Sequence, residues 1–121
     1  MPSDVTEASK CGAIALWLRG EKVEPWMRFI FANHKGHFTN GDVIVPDYYH
    51  DDHASGQLLD EMAAKRYSVH QWTTPMGTHV TIEPWTNTDE FPGYDGGYLA
   101  DTHDPDRKRA IAEAAWQASK A

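Results

Sequence analysis

The sequence predicts an α+β domain in which a single antiparallel sheet is flanked by helices, forming an α-β-α sandwich. Apolar residues recur at helical spacing in three segments, and an alternating pattern typical of a β-hairpin lies between the second and the third. We expect residues 1–121 to form one domain, because two hydrophobic cores would leave each half near the size at which stable folding becomes difficult.

The first predicted helix spans residues 5–18 and ends at Gly20. Its apolar stripe follows the spacing i, i+3, i+4, i+7 and consists of Cys11, Ile14, Ala15 and Leu18. The aromatic run at 26–31 and the apolar run at 42–45 favour strands, because aromatic and β-branched residues are enriched there. Pro46 is expected to stop the second of these strands.

The second helix is predicted to begin after an N-cap at Asp51 or Asp52 and to run to about Lys65. A carboxylate at the cap accepts hydrogen bonds from the first unpaired amides of the helix. One side of this helix is apolar and must pack against a sheet. That side consists of Ala54, Leu58, Leu59, Met62 and Ala63.

The clearest hairpin joins residues 67–72 to residues 78–83. A register that pairs Val69 with Val80 leaves a four-residue loop and gathers the apolar side chains on one face. The same register places His70 opposite His79 on the other face.

The third helix is predicted to have Asp104 as its N-cap and Pro105 at its first position, where a missing amide hydrogen does no harm. Its buried stripe is Ile111, Ala114, Ala115 and Ala118. Residues 98–100 are expected to add a short strand before it, and the polar, glycine-containing stretch 86–97 is expected to be an exposed loop.

Composition excludes several classes of function. A net charge of −7 disfavours direct nucleic-acid binding, and it suits a protein that engages basic surfaces, including those that normally hold DNA or RNA. Cys11 is the only cysteine, so a disulfide within the chain cannot form, and a reducing compartment is expected. With no signal peptide or apolar run of membrane-spanning length, we expect a soluble cytoplasmic protein that does not interact with membranes.

Several motifs resemble the phage ABA sandwich domain family, a group of small phage-encoded proteins in which helices flank a sheet. The main one is the run Val43-Ile44-Val45-Pro46-Asp47-Tyr48-Tyr49 and the helix after it, similar to the family's Pro-Asp-Tyr-Ser-Thr-Asp motif. This chain has His50 and Asp51 where the family has Ser-Thr. Weaker similarity covers Cys11-Gly12-Ala13-Ile14 and the Ala-rich last helix. The resemblance implies a phage accessory protein, and such proteins commonly bind and inhibit host or defence machinery.

Two histidine groups are candidate metal ligands. The run from His50 to His53 combines imidazoles with the carboxylate of Asp52, a donor set that suits zinc or a harder cation. His70 and His79 form the second pair. Helix capping and a polar sheet face explain both groups without a metal, so we expect no cofactor.

Nucleophilic catalysis has little support in the sequence. Cys11 lies on a predicted buried stripe, where a thiol is inert, and neither a nucleophile-elbow motif nor a phosphate-binding loop is present. We therefore expect no enzymatic activity.

The predicted partner surface combines aromatic rings with carboxylates, the groups that anchor a protein on a basic partner. It comprises Trp85, Asp89, Glu90, Phe91, Tyr94, Asp95 and Tyr98 of the acidic loop, together with Tyr48 and Asp51 of the turn before the second helix. An equally good interpretation is that Trp85 and Phe91 fold back onto the sheet edge.

The sequence thus predicts a phage accessory protein that binds a host or defence-system protein, most concretely an anti-CRISPR-like inhibitor. Two alternatives stay open. One is a metal-dependent hydrolase or nucleotide-processing enzyme that uses His50, Asp52 and His53. The other is a structural or assembly protein that acts by self-association.

Overall fold

The structure is a computed structural model that describes residues 6–84 and 99–120, and these residues adopt an α+β fold. The helices in the described residues are α1 (Glu7–Arg19), α2 (Asp52–Ala64) and α3 (Arg107–Ser119). The strands are β1 (Arg28–Phe31), β2 (Asp42–Val45), β3 (Tyr67–Thr74), β4 (Gly77–Pro84) and β5 (Ala100–Asp104). The predicted class, with an antiparallel sheet and flanking helices, is confirmed.

The antiparallel sheet contains three strands in the order β3-β4-β5. One face bears Val80 and Ile82, both fully buried, and helix α3 packs against this face through residues such as Ile111. Because side chains alternate along each strand, every second residue of these strands lies on the opposite face of the sheet.

The first two strands form a separate parallel pair instead of joining the antiparallel sheet. Phe29 and Val45 lie on the side that packs into the core against α1. Gly12 of α1 makes this packing possible, because a Cβ there would lie only 2.2 Å from the Phe29 ring. The sequence could not show the pairing, since two short apolar runs look alike whether they run parallel or antiparallel.

Helix α1 also contacts α3, so the helices connect the parallel pair to the antiparallel sheet. The stripes predicted for α1 and α3 are buried as expected. In α2, Ala54, Leu58 and Met62 are buried, whereas Ala63 is exposed. None of the helices in the described ranges combines the length and apolar character needed to cross a membrane.

Two of the predicted helix boundaries are confirmed by their caps. Gly20 ends α1 in the left-handed conformation, with φ of 74°, and its amide donates to the carbonyls of Leu16 and Trp17. Asp51 is the N-cap of α2 and accepts a hydrogen bond from the amide of His53.

The predicted cap of α3 is wrong by two residues. Asp104 is the last residue of β5, where it pairs with Thr78, and the N-cap is Asp106, which accepts from the amide of Lys108. The strand expected at 98–100 begins at Ala100 and runs on through Asp104. Strand pairing therefore extends through the residue that the local sequence marked as a cap.

The predicted register of the hairpin is wrong by two positions. Val69 pairs with Ile82, and the loop between β3 and β4 contains only Pro75 and Met76. Consequently His70 lies opposite Thr81, and His79 lies opposite Trp72. A shift of two residues keeps every side chain on its predicted face, which is why the alternating pattern could not distinguish the registers.

Candidate binding surface on the antiparallel sheet

The face of the antiparallel sheet opposite α3 presents an aromatic and polar surface, which we call the histidine face. Its residues lie on all three strands and pair in rows across them. They are Ser68, His70, Trp72 and Thr74 on β3, His79, Thr81 and Glu83 on β4, and Asp101 and His103 on β5.

The central row of this face consists of Trp72, His79 and His103, one residue from each strand. The Trp72 and His79 ring centroids are 4.3 Å apart, and those of His79 and His103 are 5.6 Å apart. Trp72 is nevertheless 46% exposed, because the described residues pack against only part of its ring. A large aromatic ring is thus held in place while much of it stays available for contact.

Each of two histidines on this face contacts a carboxylate on a neighbouring strand. Nε2 of His79 is hydrogen-bonded to Oδ1 of Asp101, and Nε2 of His70 lies 3.3 Å from Oε1 of Glu83. His103 instead contacts the Thr74 hydroxyl, with 2.8 Å between Nε2 and Oγ1. These contacts restrict the side chains, so the surface is organised before any partner arrives.

A shallow groove of about 510 Å³ runs along this face beside β3. Its lining is Val69, His70, Gln71, Trp72, Thr81 and Glu83. The groove combines one aromatic ring with imidazole, amide and carboxylate groups. This combination suits contact with a Lys or Arg side chain, which has a charged end and an apolar stem.

The acidic loop predicted as the partner surface lies outside the described residues. Its sequence connects β4 to β5, and the amide of Leu99 donates to the carbonyl of Ile82 at the end of the sheet. Both ends of the loop therefore start from the end of the sheet that carries Glu83 and Asp101.

The turn before α2 is largely occupied by internal contacts. Tyr48 is only 3% exposed, and desolvation by this burial raises its pKa to about 12. The prediction that Tyr48 belongs to the partner surface therefore fails, because its ring packs into the core. Asp51 is exposed, and its carboxylate caps α2.

Beside this turn, Tyr49 is buried against a polar cluster between α1 and α3. Its hydroxyl donates to Oε2 of Glu113 at 2.8 Å, and Nζ of Lys10 lies within 3.0 Å of both oxygens of that carboxylate. Burial and the neighbouring carboxylate raise the pKa of Tyr49. The phenol stays protonated and acts as a donor that ties the turn to α3.

The metal alternative at the start of α2 is not supported by the described geometry. Nδ1 of His50 lies 3.1 Å from a carboxylate oxygen of Asp47, and Asp52 lies 3.1 Å from Nζ of Lys108. Among the residues that the structure describes, no three His, Cys, Asp or Glu side chains are grouped to hold a metal ion. The second pair, His70 and His79, lies in two different rows of the sheet, and each histidine contacts a different carboxylate.

Cys11 is fully buried, as its position on the apolar stripe predicts. Desolvation raises the pKa of its thiol to about 12, so the reactive thiolate is strongly disfavoured. Cys11 is a core residue and not a nucleophile.

Sequence reasoning missed His103 and Asp101 as members of the histidine face. The alternation of Ala100, Thr102 and Asp104 with these two residues was a weak signal for a strand. The row itself required the pairing of β4 with β5, which brings together His79 and His103, 24 positions apart in the chain.

The chain matches no protein-family model, no curated protein and no solved structure.

Proposed function

We propose that this protein acts by binding another protein through the histidine face, together with the acidic loop at 85–98. The observation that carries the proposal is the half-exposed ring of Trp72, packed on His79, whose Nε2 is hydrogen-bonded to the Asp101 carboxylate. Exposed aromatic residues with fixed orientation are enriched among the residues that dominate binding energy.

The charge of the chain points to the chemistry of the partner. The net charge of −7 favours association with basic surfaces and repels phosphate backbones. The histidine face has two carboxylates within its rows, and the acidic loop, which starts from the same end of the sheet, adds Asp89, Glu90 and Asp95. The proposed partner therefore presents Lys or Arg side chains around an apolar pocket.

In its most specific form, the proposal is that the protein is a phage accessory protein that works in the cytoplasm of a bacterial host. There it inhibits a defence protein in the manner of an anti-CRISPR, by covering a basic surface that normally holds nucleic acid. The similarity of residues 43–49 to the phage ABA sandwich family and the acidic charge of the chain support this form.

Capture of partners from host lysate tests the proposal. Wild-type protein is compared with Trp72→Ala and with a control, Met76→Ala, which changes an exposed apolar residue in the hairpin loop. We expect Trp72→Ala to lose a captured protein that Met76→Ala retains, and we expect added heparin to compete for it. Equal capture by both variants would refute the histidine face as the binding surface.

A second arm separates the face from the loop. A variant with Asp89, Glu90 and Asp95 changed to Ala keeps Trp72 but removes three charges. If this variant loses the same partner, the loop and the face form one surface; if it keeps the partner at low salt and at high salt, the loop has no part in binding.

A further inference from the structure

The outer face of the parallel pair carries an apolar patch that the histidine face does not include. Among the described residues, six large apolar side chains are exposed, and four of them lie within residues 23–44. These four are Val23, Trp26, Phe38 and Ile44. We call the last three, Trp26, Phe38 and Ile44, the β1–β2 patch.

Contacts within this region tie Trp26 and Phe38 to the strands that carry Ile44. Trp26 lies against the start of β2, since a Cβ at Gly41 would lie 2.5 Å from the Trp26 carbonyl oxygen and 3.8 Å from its ring. Phe38 packs edge-on against His34, whose Nε2 is 3.1 Å from a guanidinium nitrogen of Arg28. Arg28 pairs across the strands with Asp42, on the same face as Ile44.

The patch is also held in a fixed conformation. The Asp42 carboxylate accepts from the amide and the hydroxyl of Thr39, at 2.7 and 2.9 Å, and lies 3.3 Å from Nε of Arg28. The hydrogen bond from the Thr39 amide lowers the pKa of Asp42, so its carboxylate remains ionised beside the guanidinium. The two charges at the centre of the patch thus neutralise each other.

The outer face of the parallel pair is only partly covered. Parallel strands normally have both faces covered, and two strands alone are marginally stable. Here α1 covers one face. On the other face Ile30 is buried, but its partner Ile44 is 57% exposed, and among the described residues nearby Trp26 is 64% exposed and Phe38 56% exposed. Covering this face would remove a substantial apolar area from water.

Charge distribution selects the occupant of the patch. Residues 23–44, which contain the patch, carry two basic and two acidic side chains, a net charge of 0, so the rest of the chain carries the whole of the −7. A twofold interface places a surface against an identical copy of itself, which like charges oppose. The β1–β2 patch is the apolar part of the described surface where two copies can meet without that repulsion.

We infer that two copies of this chain associate face to face through the β1–β2 patch around a twofold axis. Trp26, Phe38 and Ile44 of each copy pack together at the centre, and the acidic remainder of each copy points away. The histidine faces belong to the other sheet, so both copies keep them for the partner proposed above.

The expected dimer is reversible. Two aromatic side chains bury about 150–250 Å² each when fully covered, whereas a standard interface buries about 800 Å² on each partner. The patch therefore supplies only part of a standard interface. We expect the dissociation constant of the dimer to lie between about 1 μM and about 1 mM.

Sedimentation velocity over that concentration range tests the inference. We expect the wild-type chain to shift from monomer towards dimer, and we expect Ile44→Lys to remain monomeric, because a twofold interface would place both new charges together. Met76→Lys, which adds the same charge at an exposed residue of the hairpin loop, is expected to dimerise like the wild type.

Phe38→Ser provides a second disruption that leaves both strands unchanged, and circular dichroism checks that each variant is folded. We expect Phe38→Ser to raise the dissociation constant of the dimer at least about tenfold. Added salt is expected to preserve or strengthen the dimer, because it screens the repulsion between the acidic copies. A wild-type monomer over the whole range, or a dimer that persists in Ile44→Lys and Phe38→Ser, would overturn the inference.

Discussion

The contact between Gly12 and Phe29 gives the sharpest prediction about stability. Replacing a helical glycine with alanine normally stabilises a helix by about 0.8–1.0 kcal/mol. In α1, however, the added Cβ would lie 2.2 Å from Cδ1 and 2.3 Å from Cγ of Phe29, far inside the usual carbon–carbon separation of about 3.5–4.0 Å. The Phe29 ring must therefore move away from the helix by more than about 1 Å.

Overpacking of this kind costs about 1–3 kcal/mol, and so large an overlap falls in the upper part of that range. After the propensity gain is subtracted, we expect Gly12→Ala to lower the free energy of unfolding by about 1–2 kcal/mol. Urea unfolding followed by circular dichroism measures this change.

A double-mutant cycle shows whether the Phe29 ring is responsible. In a Phe29→Ala background the obstacle is gone, so Gly12→Ala should change sign and stabilise the protein by up to about 1 kcal/mol. Additive effects, or stabilisation by Gly12→Ala in the wild-type background, would refute the packing of β1 on α1.

Three further predictions concern the first residue of β4, the polar cluster of Tyr49 and Glu113, and the Cys11 thiol. Gly77→Ala should destabilise the protein by at least about 2 kcal/mol in urea unfolding, because φ at this position is 132° and a Cβ would lie 2.3 Å from the carbonyl oxygen of Asp104. Tyr49→Phe should cost about 1.5–3 kcal/mol in the same assay, since it removes a hydrogen bond to the charged Glu113, and an unchanged midpoint would contradict that bond. The raised pKa of Cys11 means that its contribution to stability is complete below pH 9.0 and is lost as pH rises towards about 12, so the fall in stability over that window should be smaller in Cys11→Ala. Equal slopes for the two proteins would show that the thiol is not desolvated.

The parts of the fold that could be predicted are those that depend on local patterns. Helices α1 and α2 each had an apolar stripe and a terminal residue with a specific role, Gly20 for one and Asp51 for the other. The strands of the hairpin were identified by alternation, which also assigned their faces correctly.

The parts that could not be predicted depend on pairing across the chain. Alternation repeats every two residues, so it could not choose between Val80 and Ile82 as the partner of Val69. The parallel pairing of β1 with β2 likewise has no local signal, since their connection contains no helix.

The candidate site was predicted in part. His70 and His79 were placed on one face, and the structure confirms that they share it, although they are not opposite each other. Trp72 was missed because exposure of an aromatic ring depends on which elements cover the sheet. Tyr48 was misplaced because the amides of Tyr49 and His50 donate hydrogen bonds to the Asp47 carboxylate, and the resulting turn carries the Tyr48 ring into the core.

Site-specific photocrosslinking in cells of the proposed bacterial host tests the central claim most directly. A photoreactive phenylalanine analogue replaces Trp72 in one variant and Met76 in the other, since both side chains are exposed but only Trp72 lies on the histidine face. We predict a single major crosslinked protein from position 72 and no such product from position 76. A product of equal yield from both positions, or from position 76 alone, would contradict binding through the histidine face.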